Sequence, residues 1–395
     1  MPKILLVKTS SMGDVIHNLP VVSDILAHFP EAEIDWVVEE SFAGIPALHP
    51  GVKKIIPVAV RRWRKNLFSR TVHAEISAFV THLRSKTYDV VLDTQGLIKS
   101  AVIARLAQGA RCGFDRKSAR EPLASLFYDK TLRVEKNQHA VVRNRLLAGR
   151  AFGYSPDDPV NYGIATDSLP LCKRGIEGDL SSVEIPPSPP FCELGIKPPI
   201  PAKPDSKGEI SPVQFDPLLA WLPTTPFVVL LHATSRDDKL WPEADWIALG
   251  AYLAGKGIAC VLPWGSATEQ KRSQRLAERM PNAVVPPALT LAQAAILLSH
   301  SIATVGVDTG LVHLAAALNV PSIAIYCASN PGLTGLHVSS GQAINLGRAG
   351  APPDTASVID ALNGMVKLST STQMPPFTPT LSPEERGSKR EGHLF

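Results

Sequence analysis

The sequence predicts an α/β protein built from two doubly wound domains that face each other across a cleft. Three observations predict it. Short apolar runs alternate with segments whose apolar residues recur at helical spacing. That alternation occurs twice, once on each side of a proline-rich stretch. The chain has 395 residues, 45% of them hydrophobic, which exceeds the size at which a single core usually keeps growing. Strands covered on both faces read as continuous apolar runs, and the intervening helices supply the cover.

The elements follow in order. Residues 4–7 (ILLV) form a first strand, followed by a polar loop and a helix carried by Val15, Leu19, Val22 and Leu26. Pro20 lacks a backbone donor and predicts a kink or a break in that helix. Further strands are predicted at 34–38, 52–56 and 90–92, with a helix over 96–106 and another closing over 143–151. Between 186 and 204 there are eight prolines in nineteen residues, so this stretch is read as a loop or linker and not as a core element. FVVLL at 227–231 restarts the rhythm. A helix opens near Pro242, a strand follows at 258–262, then helices over 269–280 and 291–298 and a strand at 303–305. A helix runs from Gly310 to Leu318, a strand covers 322–326, and a last helix covers 355–366. The tail beyond 368 is rich in Ser, Thr, Pro and charge and predicts disorder. The expected domains are therefore 1–170, a linker or insertion at 171–225, 226–354, a closing helix at 355–367 and a tail at 368–395.

Composition removes several function classes. A net charge of +4 is small for this length and argues against a bulk nucleic-acid binder. The five cysteines, an odd number without a CxxC pair, fit reduced thiols in a cytoplasmic protein, and no zinc-ligand spacing is visible. The apolar run at 4–7 ends at Lys8, too short for a secretory signal. No run of about 18 uncharged apolar residues offers a membrane span. Contact with a membrane surface stays open.

Ligands in open parallel sheets bind beyond the carboxyl ends of the strands, so the polar residues there are the candidates. Asp14, after the first strand and beside Gly13, reads as a general base facing the cleft or as a plain helix cap. After FVVLL, Thr234, Ser235 and Lys239 suit a diphosphate, whose leaving charge needs donors and a cation. Arg236, Asp237 and Asp238 read as a solvated turn. Asp308, Thr309, Gly310 and His313 surround a helix start, an anion site with free backbone donors. Asp308 would repel phosphate and instead suits sugar hydroxyls; a capped helix with a buried His313 is the alternative. Glu269 offers a carboxylate for a ribose, or an ordinary cap. Arg61, Arg62, Arg64 and Lys65, interleaved with Trp63 and Phe68, suit an anionic acceptor or lipid surface, a solvated face or, against the near-balanced charge of the rest, nucleic acid. Asp93 and Lys99 flank another strand-end loop and read as acceptor-side, with a structural role for Asp93 equally open.

Six segments give these residues a family. LLVKTSSMGDVIHNLP at 5–20, AVRRWRKNLFS at 59–69, DVVLDTQGLIKSA at 89–101, HATSRDDKLWP at 232–242, LPWGSATEQKR at 262–272 and GVDTGLVHLAAAL at 306–318 together resemble the lipopolysaccharide heptosyltransferases of glycosyltransferase family 9. The likeness is to the branch that adds the first heptose to the inner core. It covers roughly 1–170 and 225–367 in order, content and separation. The resemblance implies the GT-B fold, two Rossmann-like domains with acceptor on the first and donor on the second. It implies inverting transfer of L-glycero-D-manno-heptose from ADP-L-glycero-β-D-manno-heptose to a Kdo sugar of Kdo2-lipid A, without a required metal or other cofactor, at the cytoplasmic face of the inner membrane. It places the catalytic aspartate at Asp14, the diphosphate-binding groups at Thr234, Ser235, Lys239, Thr309, Gly310 and His313, the heptose-binding aspartate at Asp308 and the ribose-binding glutamate at Glu269. The chain departs from the compact family pattern in the proline-rich stretch near 172–212 and in the tail. A later-acting core heptosyltransferase or a nucleotide-sugar epimerase keeps the same fold, and a nucleotide-sensing module without catalysis keeps the same cleft.

Overall fold

In the computed structural model, residues 1–66, 68–164 and 221–366 are described. Most of the proline-rich linker and the tail lie outside these residues. Two six-stranded sheets, each wholly parallel, organise the chain. The first contains β1 (Lys3–Val7), β2 (Glu33–Glu39), β3 (Val52–Val58), β4 (Thr87–Asp93), β5 (Gln108–Phe114) and β6 (Lys130–Leu132), in the order β3-β2-β1-β4-β5-β6. The second contains β7 (Phe227–Leu231), β8 (Ala259–Val261), β9 (Ala283–Val284), β10 (Ala303–Val307), β11 (Ser322–Tyr326) and β12 (Ala343–Gly347). Its order, β12-β11-β10-β7-β8-β9, is the same topology read from the other edge. Each sheet reverses its strand order between its first and fourth strands, β1/β4 and β7/β10, and a ligand crevice opens at such a point.

Helices cover both sheets. The first lobe has α1 (Met12–Ile16), α2 (Leu19–His28), α3 (Val60–Trp63), α4 (Arg70–Leu83), α5 (Ile98–Leu106) and α6 (Ala140–Phe152). The second has α7 (Glu243–Gly255), α8 (Ala267–Ala277), α9 (Leu291–Ser299), α10 (Gly310–Ala317), α11 (Pro331–Thr334) and α12 (Thr355–Met365). The helix expected after β1 is two helices. The chain turns at His17 and Asn18, and Pro20 stands in the first turn of α2, where no intrahelical donor is lost. Pro242, expected inside the first turn of α7, precedes it as its cap residue. Gly153 ends α6 with φ 83°, a left-handed conformation that glycine adopts without Cβ strain. The closing helix α12 packs on α7, where the Thr355 hydroxyl donates to Asp245 (2.7 Å) and the Tyr252 hydroxyl to Asn363 (2.8 Å).

The outer faces of the two sheets bury separate apolar clusters, with Leu5, Val7 and Phe79 in the first lobe and Trp241, Trp246 and Leu276 in the second. A third cluster runs from one lobe into the other, joining Ile4, Trp36 and Val15 to Leu297, Val312 and Tyr326. α1 and α10 pack together at this junction. Polar contacts also cross it: His139 to the Gly335 carbonyl (3.0 Å), the Tyr162 hydroxyl to the His337 carbonyl (2.9 Å) and the Ser339 hydroxyl to the Val160 carbonyl (3.3 Å). The lobes are in contact, and the strand ends of both sheets meet at the α1–α10 seam.

Candidate active site

The loop after β1 is shaped by its neighbour after β4. Gln95 Oε1 accepts hydrogen bonds from the Thr9 amide (2.7 Å) and hydroxyl (2.9 Å), and its Nε2 donates to the Ser10 carbonyl. Lys8 is buried and donates to the Thr94 carbonyl at 2.9 Å. Burial pulls its pKa down to about 8 against the opposing pull of Asp14. Lys99 adds a bond to the Ser10 hydroxyl at 2.6 Å.

This loop delivers Asp14 on the first turn of α1. Its Oδ2 accepts from the Ser11 amide at 3.0 Å, the capping contact, and both oxygens face Arg120, with Nη2 to Oδ1 at 2.5 Å and Nη1 to Oδ2 at 3.2 Å. Burial alone would favour the neutral acid. The charges of Lys8 and Arg120, with the Arg120 and Ser11 hydrogen bonds, hold the carboxyl well below the usual carboxylate range instead. Asp14 is thus both a cap and an ionised carboxylate at the cleft.

The second lobe's half of the site is built on β7 and β10. Asp308, past the end of β10, accepts from Lys239 Nζ (2.7 Å) and the Ser329 hydroxyl (2.5 Å) through Oδ2, while His313 Nε2 stands 3.7 Å from Oδ1. Burial opposes its ionisation, but His313, Lys239 and Ser329 hold its pKa far below the ordinary value. The Thr234 hydroxyl donates to the Asp308 carbonyl at 3.1 Å, which fixes the β7 loop against the β10 loop, and Ser235 is exposed beside it. Thr309 is the N-cap of α10 without a side-chain cap bond, and Gly310 lies so close to Met12 of the other lobe that a methyl group would collide with it. Lys239, Thr234, Asp308 and the start of α10 therefore form one polar corner. A cation and a helix N-terminus there suit an anion.

His17 closes the seam between the halves. It follows α1 directly, and its Nε2 lies 3.2 Å from His313 Nδ1. Both rings are buried, and burial with the neighbouring His313 and His139 charges holds His17 well below its ordinary pKa.

Several expected residues stand apart from this corner. Glu269 Oε2 accepts from the Gly265 amide at 2.7 Å, so part of the carboxylate closes the turn after β8. Asp93, offered as acceptor-side, is fully buried; it accepts from the Gln95 and Gly96 amides and the Tyr128 hydroxyl (2.7 Å) and therefore shapes the loop from inside. Arg62 is engaged by Glu40 (3.1 Å) and Glu75 (2.7 Å), whereas Arg61, Arg64 and Lys65 are exposed. Sequence reasoning missed Arg120, Gln95, His17 and Ser329. Arg120 reaches Asp14 across 106 positions from beyond β5, a strand whose QGARCGF carries little apolar signal. Among the described residues no group of His, Cys, Asp or Glu has a metal-holding arrangement, and no helix is long and apolar enough to cross a membrane.

Comparison with known proteins places the chain in a family and matches its fold. The family model for glycosyltransferase family 9 (heptosyltransferase) matches residues 76–357. Lipopolysaccharide heptosyltransferase 1 of Escherichia coli O18:K1:H7 is 42% identical over 336 residues, which cover 84% of this chain and 88% of that protein. The Pseudomonas aeruginosa protein of the same name is 41% identical over 337 residues, covering 85% and 81%. Among solved structures, E. coli heptosyltransferase WaaC with ADP is 39% identical, covers 92% of this chain and all of that one, and superposes with a TM-score of 0.74. The same enzyme with ADP-2-deoxy-2-fluoro heptose gives 37% and 0.72.

Proposed function

The chain belongs to glycosyltransferase family 9, the heptosyltransferases, and from that premise we propose how its cleft carries out the transfer. The protein is an inverting GT-B glycosyltransferase that moves heptose from ADP-heptose onto a lipid-linked sugar of the lipopolysaccharide core. The acceptor is a Kdo residue of Kdo2-lipid A, met by the first lobe at the cytoplasmic face of the inner membrane. The domain limits are 1–170 for the acceptor lobe and 226–354 for the donor lobe, with 355–367 closing onto the latter.

A Kdo hydroxyl attacks the anomeric carbon from the face opposite ADP. The bond to the diphosphate oxygen breaks as the new glycosidic bond forms, and the electron pair leaves with ADP. Asp14 takes the hydroxyl proton. A carboxylate held at so low a pKa is always ionised but is a weak base, so it takes the proton late, when the attacking oxygen has become acidic. An anionic acceptor that draws Arg120 to itself removes one of the groups that depress Asp14 and makes it a better base. Lys239, Thr234, Ser235 and the α10 start with Thr309, Gly310 and His313 stabilise the departing charge. Asp308 receives heptose hydroxyls, and Glu269 the ribose. Arg61, Arg64 and Lys65, with Lys99, face the acceptor.

The observation that carries this reading is the meeting of Asp14 on one lobe with the Lys239–Asp308 corner of the other across the α1–α10 seam. The test is an assay with ADP-heptose and Kdo2-lipid A, with product mass measured, on the wild type and Asp14→Asn. The variant should bind ADP as the wild type does and lose turnover by about 100-fold or more. Near-normal turnover removes Asp14 from its role. Tight ADP binding with no transfer to any sugar acceptor supports the non-catalytic module instead.

A further inference from the structure

Seven large apolar side chains are exposed among the described residues, and four of them share one small area: Ile98 (37% exposed), Val102 (40%), Leu123 (54%) and Leu126 (75%). Ile98 and Val102 stand one turn apart on α5, so they share a face. Leu123 and Leu126 stand three residues apart in the 3-10 turn Pro122–Phe127, where that spacing repeats the direction. The two elements pack side by side and are tied at their starts: the Ile98 amide donates to Glu121 Oε2 at 2.6 Å and the Glu121 amide to the Gly96 carbonyl at 3.0 Å. Their inner residues, Ala101, Ile103, Ala104 and Ala124, fill the core, so the outer four face solvent because the fold leaves them there.

The patch adjoins the mouth of the cleft. Lys99 follows Ile98 and bonds the Asp14 loop, and Arg120, which grips Asp14, precedes this turn by two residues. Lys99 also lies within the electrostatic reach of Arg61 and Arg64. Arg105 is exposed one turn beyond Val102. Exposed Glu121 and Asp129 also border the area, but Lys99, Arg105 and Arg120 outnumber them. An apolar area with a mainly cationic rim has the two-part character of a surface that rests in the headgroup region of an anionic bilayer, with apolar groups shallowly buried and cations at the phosphates.

We propose that Ile98, Val102, Leu123 and Leu126 form the membrane-docking surface of the first lobe and seat it on an anionic phospholipid bilayer with the Asp14 cleft opening beside the lipid plane. The inference rests on the reading of the acceptor as lipid-linked and adds the face by which the protein meets the lipid. Docking in this way brings an acceptor sugar still anchored in the bilayer to the cleft without extracting its acyl chains.

The test uses the full chain. Flotation is measured with phosphatidylcholine vesicles with and without phosphatidylglycerol, for the wild type and for a variant combining Ile98→Ser, Val102→Ser, Leu123→Ser and Leu126→Ser. The wild type should bind the anionic vesicles, and the variant should bind them at least about tenfold less. Heptose transfer to an acyl-free Kdo disaccharide should be unchanged in the variant, which also shows that it is folded. Equal flotation of the two proteins overturns the proposal, as does an equal loss on the acyl-free acceptor. In a second variant, Leu126→Trp, added fluorescence quenched by brominated lipid supports insertion; none overturns it. Wild-type dimers that bury this patch and ignore both vesicle types also overturn it. A wild type that floats but transfers no heptose to the acyl-free acceptor refutes the activity and leaves the docking surface standing.

Discussion

His139 makes the contact between the lobes sensitive to acid. Its Nδ1 accepts from the Val141 amide at 3.2 Å, capping α6, and its Nε2 reaches the Gly335 carbonyl of the other lobe at 3.0 Å. The network admits one tautomer, neutral with the proton on Nε2, because the amide can only donate and the carbonyl can only accept. Protonation sets an N–H against the Val141 N–H and puts a charge beside the stacked His337 ring. Burial first, then the charge of His337, lowers the pKa from 6.5 to about 4. The folded-state value is depressed, so the unfolded chain binds the proton first. The stabilisation is complete above 6.5 and is lost as the pH falls through the window down to about 4. The full shift corresponds to about 3.4 kcal/mol, of which about 2 kcal/mol is gone by about pH 5. His139→Asn keeps an acceptor for the cap and does not titrate. Native-state hydrogen exchange around 139–141 and 335–339, corrected for the intrinsic pH dependence, measures the opening free energy. From neutral pH to about pH 5 the wild type should lose about 2 kcal/mol more than the variant. Parallel losses in the two proteins would refute the reasoning.

Other perturbations probe the site and its supports. Lys239→Ala removes the cation of the donor corner and should weaken ADP binding by about 10- to 100-fold in calorimetry; an unchanged affinity would remove Lys239 from the diphosphate site. Arg145→Met strands the buried Asp24, which now accepts from Arg145 at 2.7 and 2.9 Å, and should cost about 3–5 kcal/mol in denaturant unfolding of the first lobe, partly recovered when Asp24→Leu is added. Gly310→Ala sets a methyl in collision with Met12 Sδ across the seam. It should destabilise the lobe contact by about 1–3 kcal/mol, and Met12→Ala should relieve it; a neutral single variant would show that the seam yields freely.

What the sequence made legible follows burial. ILLV and FVVLL are covered on both faces and carry no alternation, so their apolar runs mark β1 and β7 unmistakably. β5, β6, β9 and β12 were not anticipated, because QGARCGF and KTL hold few apolar residues, β9 is two residues long and AINLG has no fully buried residue. α4 was missed although Val72, Phe79 and Leu83 keep a helical spacing, since charge and polarity fill the positions between them. The site shows the same division. Asp14, Thr234, Lys239 and Asp308 each follow a legible strand, so their place at the cleft could be read directly. Arg62 is grouped with Arg61 and Arg64 in sequence but is taken by Glu40 and Glu75, acids supplied by other elements. Asp93 ends a strand as the others do, yet Tyr128 and the turn amides hold it inside the fold. Local pattern gives the strand end, and only tertiary structure gives the direction of the side chain.

The short helix α1 explains why the two halves act together. It has five residues, too few for independent stability in water. Its position is set instead by what it touches. Met12 lies against Gly310 at the start of α10, Asp14 is gripped by Arg120, and His17, just past the helix, meets His313 on the first turns of α10. The same α10 begins at the polar corner of Lys239, Thr234 and Asp308, and His313 faces both His17 and Asp308. A displacement of α10 relative to the first lobe therefore moves the helix that holds the carboxylate. With these contacts on and beside so short an element, the distance from Asp14 to the Lys239–Asp308 corner is set at the seam between the lobes, and under the proposed mechanism lobe contact would help set the geometry of transfer as well as shield it from water.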